Sequence, residues 1–144
     1  MYNWKYFTLK EFTKSETADK LGFINIPTEI EKQNINDLVV NVLDPLREAW
    51  GKPIRVTSGY RCPRLNEAVG GVKNSQHKFG QAADLQPLDY SLMKEFKAFV
   101  RDWCKDKEFD QCIIEYNSYA EWIHISYRKD NNRKKLFEIH NEQD

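Results

Sequence analysis

Residues 58–85, SGYRCPRLNEAVGGVKNSQHKFGQAADL, constrain the fold of this chain more than any other stretch. They carry Gly59, Gly70, Gly71 and Gly80 and keep neither a helical nor a strand period for long, so they cannot form one regular element. Strand-like runs bound the segment. PIRVTSGY alternates Ile54 and Val56 against Arg55 and Thr57, and AADL reads as a second short strand. Between them, PRLNEAV suits a short helix that starts at Pro63 and ends at the Gly70-Gly71 pair. His77, Asp84 and Arg61 are crowded into the same stretch. It is therefore either a long loop or one wall of a site whose remaining ligand lies elsewhere.

The flanking sequence supplies the rest of a fold. Thr8 with Glu11, and Thr28 with Glu31, are capping boxes that open a short helix near 8–14 and a longer one after Pro27. Ile35, Leu38, Val39, Val42, Leu43, Leu46 and Trp50 form a broad apolar stripe along the second helix. Pro45 is expected to kink or restart that helix, and Gly51 stands at its C-terminal cap. SLMKEFKAFVRDWC returns to helical spacing. FDQCIIEY and WIHISY then read as an antiparallel hairpin across NSYAE. The remainder, from Arg128 on, reads as a polar tail with five basic residues between 128 and 135, a solvated stretch able to attract anionic polymers. The expected fold is α+β: one domain over 1–144, with a small, mainly antiparallel sheet and N-terminal and flanking helices.

Composition excludes several classes. The chain has 144 residues, 40% of them apolar, enough for a real core and against global disorder. Its 22 basic and 22 acidic residues balance, which disfavours a nucleic-acid partner. No apolar run approaches the roughly 18 residues of a membrane span, and the charged N-terminal stretch lacks the apolar region of a secretory signal. A cytoplasmic monomer as synthesised is expected. Cys62, Cys104 and Cys112 are odd in number and lack CxxC spacing, so they read as free thiols.

A catalytic zinc site usually takes three ligands from His, Asp or Glu and leaves a fourth position open. His77 and Asp84 lie close in sequence, and His124 stands mid-strand between Ile123 and Ile125, where a ligand is held rigidly. On spacing alone, a strand histidine between isoleucines is more often a satisfied, half-buried residue. His140 has no motif partner and reads as a surface residue. Tyr60, Tyr90, Tyr119 and Trp122 read as core or rim aromatics, or as the lining of a cleft.

The motifs in combination are more specific. Ser58-Gly59-Tyr60-Arg61, Gly70-Gly71, Ser75-Gln76-His77, Asp84 and Trp122-Ile123-His124, in that order, resemble the zinc D-Ala-D-Ala carboxypeptidase family of peptidoglycan peptidases, the M15 peptidases. The likeness is greatest to small phage and prophage endolysin-like members, and FTLKEFTKSETA near the start also looks like theirs. The resemblance implies a hedgehog/D-Ala-D-Ala peptidase-like fold with the zinc site on the sheet, and His77, Asp84 and His124 as Zn2+ ligands. It implies hydrolysis of a stem-peptide bond, either as a D-Ala-D-Ala carboxypeptidase or as an L-Ala-D-Glu-type endopeptidase. The competing reading keeps fold and zinc but has lost catalysis, leaving a wall-binding or structural module.

Under the resemblance Arg61 is aimed at a substrate carbonyl or carboxylate; its other reading is a salt bridge anchoring the loop. Ser75 and Gln76 either orient the ligands or belong to a solvated loop, and Trp122 belongs to the same surroundings. Two carboxylates compete as general base. Glu121 stands three residues before His124, as in related zinc peptidases, but residues three apart on a regular strand face opposite ways. Glu115 lies opposite His124 if SYAE forms a four-residue loop, and a one-residue slip would reverse its face.

Overall fold

The computed structural model describes residues 2–141. Both capping boxes form: Glu11 and Glu31 accept the backbone N–H of Thr8 and Thr28 at 2.7 and 2.9 Å, opening α1 (Leu9–Thr13) and α3 (Glu29–Leu38). Between them lies α2 (Glu16–Leu21), capped by Ser15. Near Pro45 the helix changes type and restarts, as expected. A π turn, Val39–Leu43, runs into α4 (Asp44–Trp50). Proline has no N–H to donate, and the widened turn just before it is closed by Asp44 N–H to Val39 O. The helix ends at Gly51, in the left-handed region at φ 78°. The short helix α5 (Pro63–Ala68) and the amphipathic α6 (Met93–Trp103) follow the sequence reading.

Five strands, β1 (Ile54–Ser58), β2 (Ala82–Pro87), β3 (Gln111–Tyr116), β4 (Glu121–Ser126) and β5 (Lys135–His140), form one sheet in the order β1-β2-β4-β3-β5. All neighbours are antiparallel except β3 and β5, which are parallel. The pleat separates two chemistries. Ala83 and Leu85 of β2, Ile123 and Ile125 of β4, and Cys112 and Ile114 of β3 point to the helical layer, joining the α3–α4 stripe and Phe96 and Val100 of α6 in one core. The intervening residues, Asp84, His124 and Ile113, stand in one row on the other face, paired across β2, β4 and β3. The loop 59–81 folds over that face and buries it, which is why β2 is buried along its whole length.

The polar-tail reading of residues 128–140 is corrected: Lys135–His140 is the edge strand β5. Every residue of it is exposed, so it carries no inward and outward alternation to read. Residues 142–144 of that tail lie outside the described residues.

Candidate metal centre

The loop 59–81 is held over the sheet by close backbone contacts. A Cβ on Gly59 would come within 2.6 Å of the Phe12 backbone, so only glycine lets the chain pass α1 there. Gly59 O then accepts from His77 Nδ1–H at 2.6 Å, while Arg61 N–H donates to His77 O at 3.1 Å. Ser75 caps the tight turn 76–79, its Oγ accepting the His77 N–H at 3.2 Å. Gly80 ends that turn at φ 72°, pressed against the carbonyl of Glu31. The His77 ring is thereby fixed from both ends.

Because Gly59 O can only accept, His77 carries its proton on Nδ1 and presents the Nε2 lone pair to the site. Nε2 lies 3.2 Å from Asp84 Oδ1, and His124 Nδ1 lies 3.2 Å from the same oxygen. Potential ligand atoms of the three buried residues all fall within 4.8 Å of one another. Burial holds the His77 imidazole below its ordinary pKa, against the opposing pull of Asp84. Burial alone would raise the Asp84 carboxyl, but the two facing imidazoles hold it well below the carboxylate range. A neutral imidazole lone pair facing a carboxylate oxygen at contact distance is unfavourable unless a cation lies between them. Two imidazoles and one carboxylate converging on one point therefore fit a metal ion.

A cleft of about 560 Å3 opens on this triad. Arg61, Ser75, Gln76, Glu115, Trp122 and Arg133 are among its lining residues. The Arg61 guanidinium lies 3.5 Å from Asp84 Oδ2, and donates through Nε to Ser58 Oγ and through Nη1 to Asn66 Oδ1 at 3.1 and 3.2 Å. It is thus an anchor of the loop and a wall of the cleft at once. The glycine pair serves this packing, since a Cβ on Gly71 would collide with the Asn66 side chain.

The two candidate carboxylates part company. Four residues, 117–120, close the hairpin, and Tyr116 pairs with Glu121 and Glu115 with Trp122. Relative to the expected pairing of Glu115 with His124, the register has moved by two residues, so Glu115 keeps the face of His124 one row along. It lines the cleft and accepts from Trp122 Nε1 at 3.0 Å and from Asn141 Nδ2 at 3.2 Å. Glu121 begins β4, and its side chain goes to the helical face, where Lys97 of α6 lies 2.6 Å away.

Of the aromatics, Trp122 lines the cleft, Tyr60 is buried in the core, and Tyr119 stands exposed on the hairpin loop. Tyr90 accepts the Glu121 N–H through its hydroxyl at 2.8 Å. His140 stacks on Tyr116 at the end of β5, exposed and away from the triad. Cys62, Cys104 and Cys112 are free thiols.

Sequence reasoning missed Asp110 and Arg133. The fully buried Asp110 carboxylate accepts from Arg133 Nε and Nη2 at 3.0 and 2.6 Å, from the Arg133 backbone N–H at 2.9 Å, and from Gln76 Nε2 at 3.0 Å. The residue before His77 is thus tied to a guanidinium from the β4–β5 connection. The only signal was a basic run, which gives no hint of a buried partner.

No helix among the described residues is long and apolar enough to cross a membrane. Comparison with known proteins adds two findings. A 44-residue stretch is 50% identical to a zinc D-Ala-D-Ala carboxypeptidase of Streptomyces albus G; it covers 30% of this chain but only 17% of that protein's length. The pattern of the Peptidase M15 family matches residues 5–126, spanning the N-terminal helices, the loop 59–81 and both histidine-bearing segments. With a two-histidine, one-aspartate group on the sheet and a match over most of its length, this chain belongs to the M15 peptidase family.

Proposed function

We propose that the protein is a zinc peptidase that hydrolyses a peptide bond of the peptidoglycan stem peptide. One observation carries the reading: His77, Asp84, His124, Arg61 and Glu115 line a single cleft, while the competing Glu121 is paired on the far face of the sheet. The likeness to a zinc D-Ala-D-Ala carboxypeptidase supports both the ion and the substrate class.

His77 Nε2, Asp84 and His124 Nδ1 would hold the ion. Zinc, when bound, supplies the positive charge that polarises the scissile carbonyl and acidifies the attacking water. Glu115 acts as general base, taking the proton of the attacking water and delivering it to the leaving amine. Its two hydrogen bonds, from Trp122 and Asn141, fix the plane of the carboxylate and leave oxygen lone pairs open to the cleft. Arg61, already oriented by Ser58 and Asn66, faces the substrate carbonyl and stabilises the charge that develops on its oxygen. Ser75 and Gln76 position His77 and act through it. A D-Ala-D-Ala carboxypeptidase and an endolysin-like L-Ala-D-Glu endopeptidase use the same groups and differ in which bond the cleft presents.

The test is release of new amino termini from purified peptidoglycan, with and without chelator, followed by mass spectrometry of the fragments. Chelator-sensitive release is expected, and the fragment masses name the bond. No release from several wall chemistries by zinc-loaded protein would replace this reading with a non-catalytic wall-binding module.

A further inference from the structure

We propose that Arg133 is a second, specificity-determining guanidinium of this cleft, reading a carboxylate of the substrate. Its Nε and Nη2 form a side-on fork with Asp110, at 3.0 and 2.6 Å. A guanidinium held along that edge turns Nη1 and the second N–H of Nη2 away from Asp110. Arg133 lines the same cleft as the triad. Asp110 is fully buried and takes a further donor from Gln76, so the fork rests on a fixed base. A solvated surface arginine has neither a buried carboxylate behind it nor a side chain tied to a metal-ligand neighbour.

Charge points the same way. The ionic side chains lining the cleft are Arg61 and Arg133 against Asp84 and Glu115, two positive and two negative. Adding Asp110 behind Arg133, together with Arg128 at 3.9 Å from the same carboxylate, leaves the protein's share at zero, and a divalent ion brings the loaded cleft to plus two. An anionic group on the substrate is therefore favoured, and the outer edge of a guanidinium matches a carboxylate in two parallel hydrogen bonds. Arg61 is spent on Ser58, Asn66 and Asp84, close to the reacting centre. Arg133 is the cation available to a more distant carboxylate. The substrate class rests on the peptidase reading above. The carboxylate has two sources in a stem peptide, the C-terminal carboxyl and the free carboxyl of the D-glutamyl residue.

The experiment compares the zinc-loaded wild type with Arg133→Lys, which keeps a cation beside Asp110 but removes the fork. A double variant, Asp110→Asn with Arg133→Met, removes both charges together in case the single change disturbs folding. Three pentapeptides ending in D-Ala-D-Ala are used: the free acid, its C-terminal amide, and the form with the D-glutamyl carboxyl amidated. Affinity is read from KM where a peptide is cleaved and by calorimetry where it is not. Both variants are expected to bind the free acid about 10- to 100-fold more weakly, and Arg133→Lys, which leaves Asp110 and its bond from Gln76 in place, is expected to keep its zinc content. The amidated peptide on which wild type and variants no longer differ identifies which carboxylate is read. Equal affinity of wild type and variants for all three peptides would overturn the proposal, even with cleavage intact. Carboxylate-dependent binding without cleavage would instead sink the peptidase reading and leave the Arg133 site standing.

Discussion

Glu115 and Glu121 stand on paired strands of one hairpin, and the pleat sends them to opposite faces of the sheet. Glu115 meets Trp122, Asn141 and the metal-ligand cleft, whereas Glu121 meets Lys97 of α6. Both are acidic residues near His124 in sequence. What separates them is parity: Glu115 shares the face of Trp122 and His124, and Glu121 shares that of Ile123 and Ile125. One face of this sheet is built for polar convergence, the other for packing, and a side chain's role follows from which it enters.

The comparison breaks most sharply in turnover. Glu115→Gln is expected to lower kcat by about 10^2- to 10^4-fold with metal content unchanged. Glu121→Gln is expected to leave kcat within about threefold and to cost stability about 0–1 kcal/mol, the scale of a partly exposed ion pair. Steady-state kinetics beside metal analysis decides it; the reverse pattern would transfer the base to Glu121.

The packing face answers in stability. Ile123 is fully buried between the ligand row and the helices, and Ile123→Ala is expected to cost about 2–5 kcal/mol in denaturant unfolding. A loss under about 1 kcal/mol would mean that this face tolerates a cavity and that the two faces differ less than their chemistry suggests.

The subtlest difference is a pH effect at the rim of the polar face. Burial would raise the Asp110 carboxyl, but the Arg133 and Gln76 donors hold it below its ordinary value. The folded state then releases this proton more readily than the unfolded chain. Its stabilisation is present above the ordinary aspartate value of about 3.9 and is lost as pH falls through the folded value. The margin in melting temperature between wild type and Asp110→Asn is expected to be largest near pH 7 and to shrink below pH 4. A margin that stays constant down to pH 3 would show that Asp110 is not the titrating group.

Much of this was legible in the chain itself. Capping boxes, the apolar stripe of α3–α4, the helix-ending glycines at 51 and 70, and the hairpin signals are local, and local chemistry decided them. His77, Asp84 and His124 could be named because motif residues hold their order along the chain, and the fold brings them within 4.8 Å. Three features were not readable in this way. The π turn before Pro45 is one such feature, because the proline signals a restart without saying how the preceding turn closes. Strand β5 has no buried face, so only its backbone pairing with β3 defines it. The hairpin register lies two residues from the one expected, and nothing short of the paired strands distinguishes registers that keep the same faces.

By itself, then, the sequence determined most of the elements, through spacing and turn chemistry, and the residues that can ligate a metal, through the ordered motifs that resemble a known family. Only the tertiary structure decided that Glu115 rather than Glu121 enters the cleft, that Arg61 is both anchor and wall, and that Arg133 leaves its basic run to sit on buried Asp110. Each of those outcomes depends on pairing between segments far apart in the chain, and the energy of such a pair exists only once the intervening loops have closed.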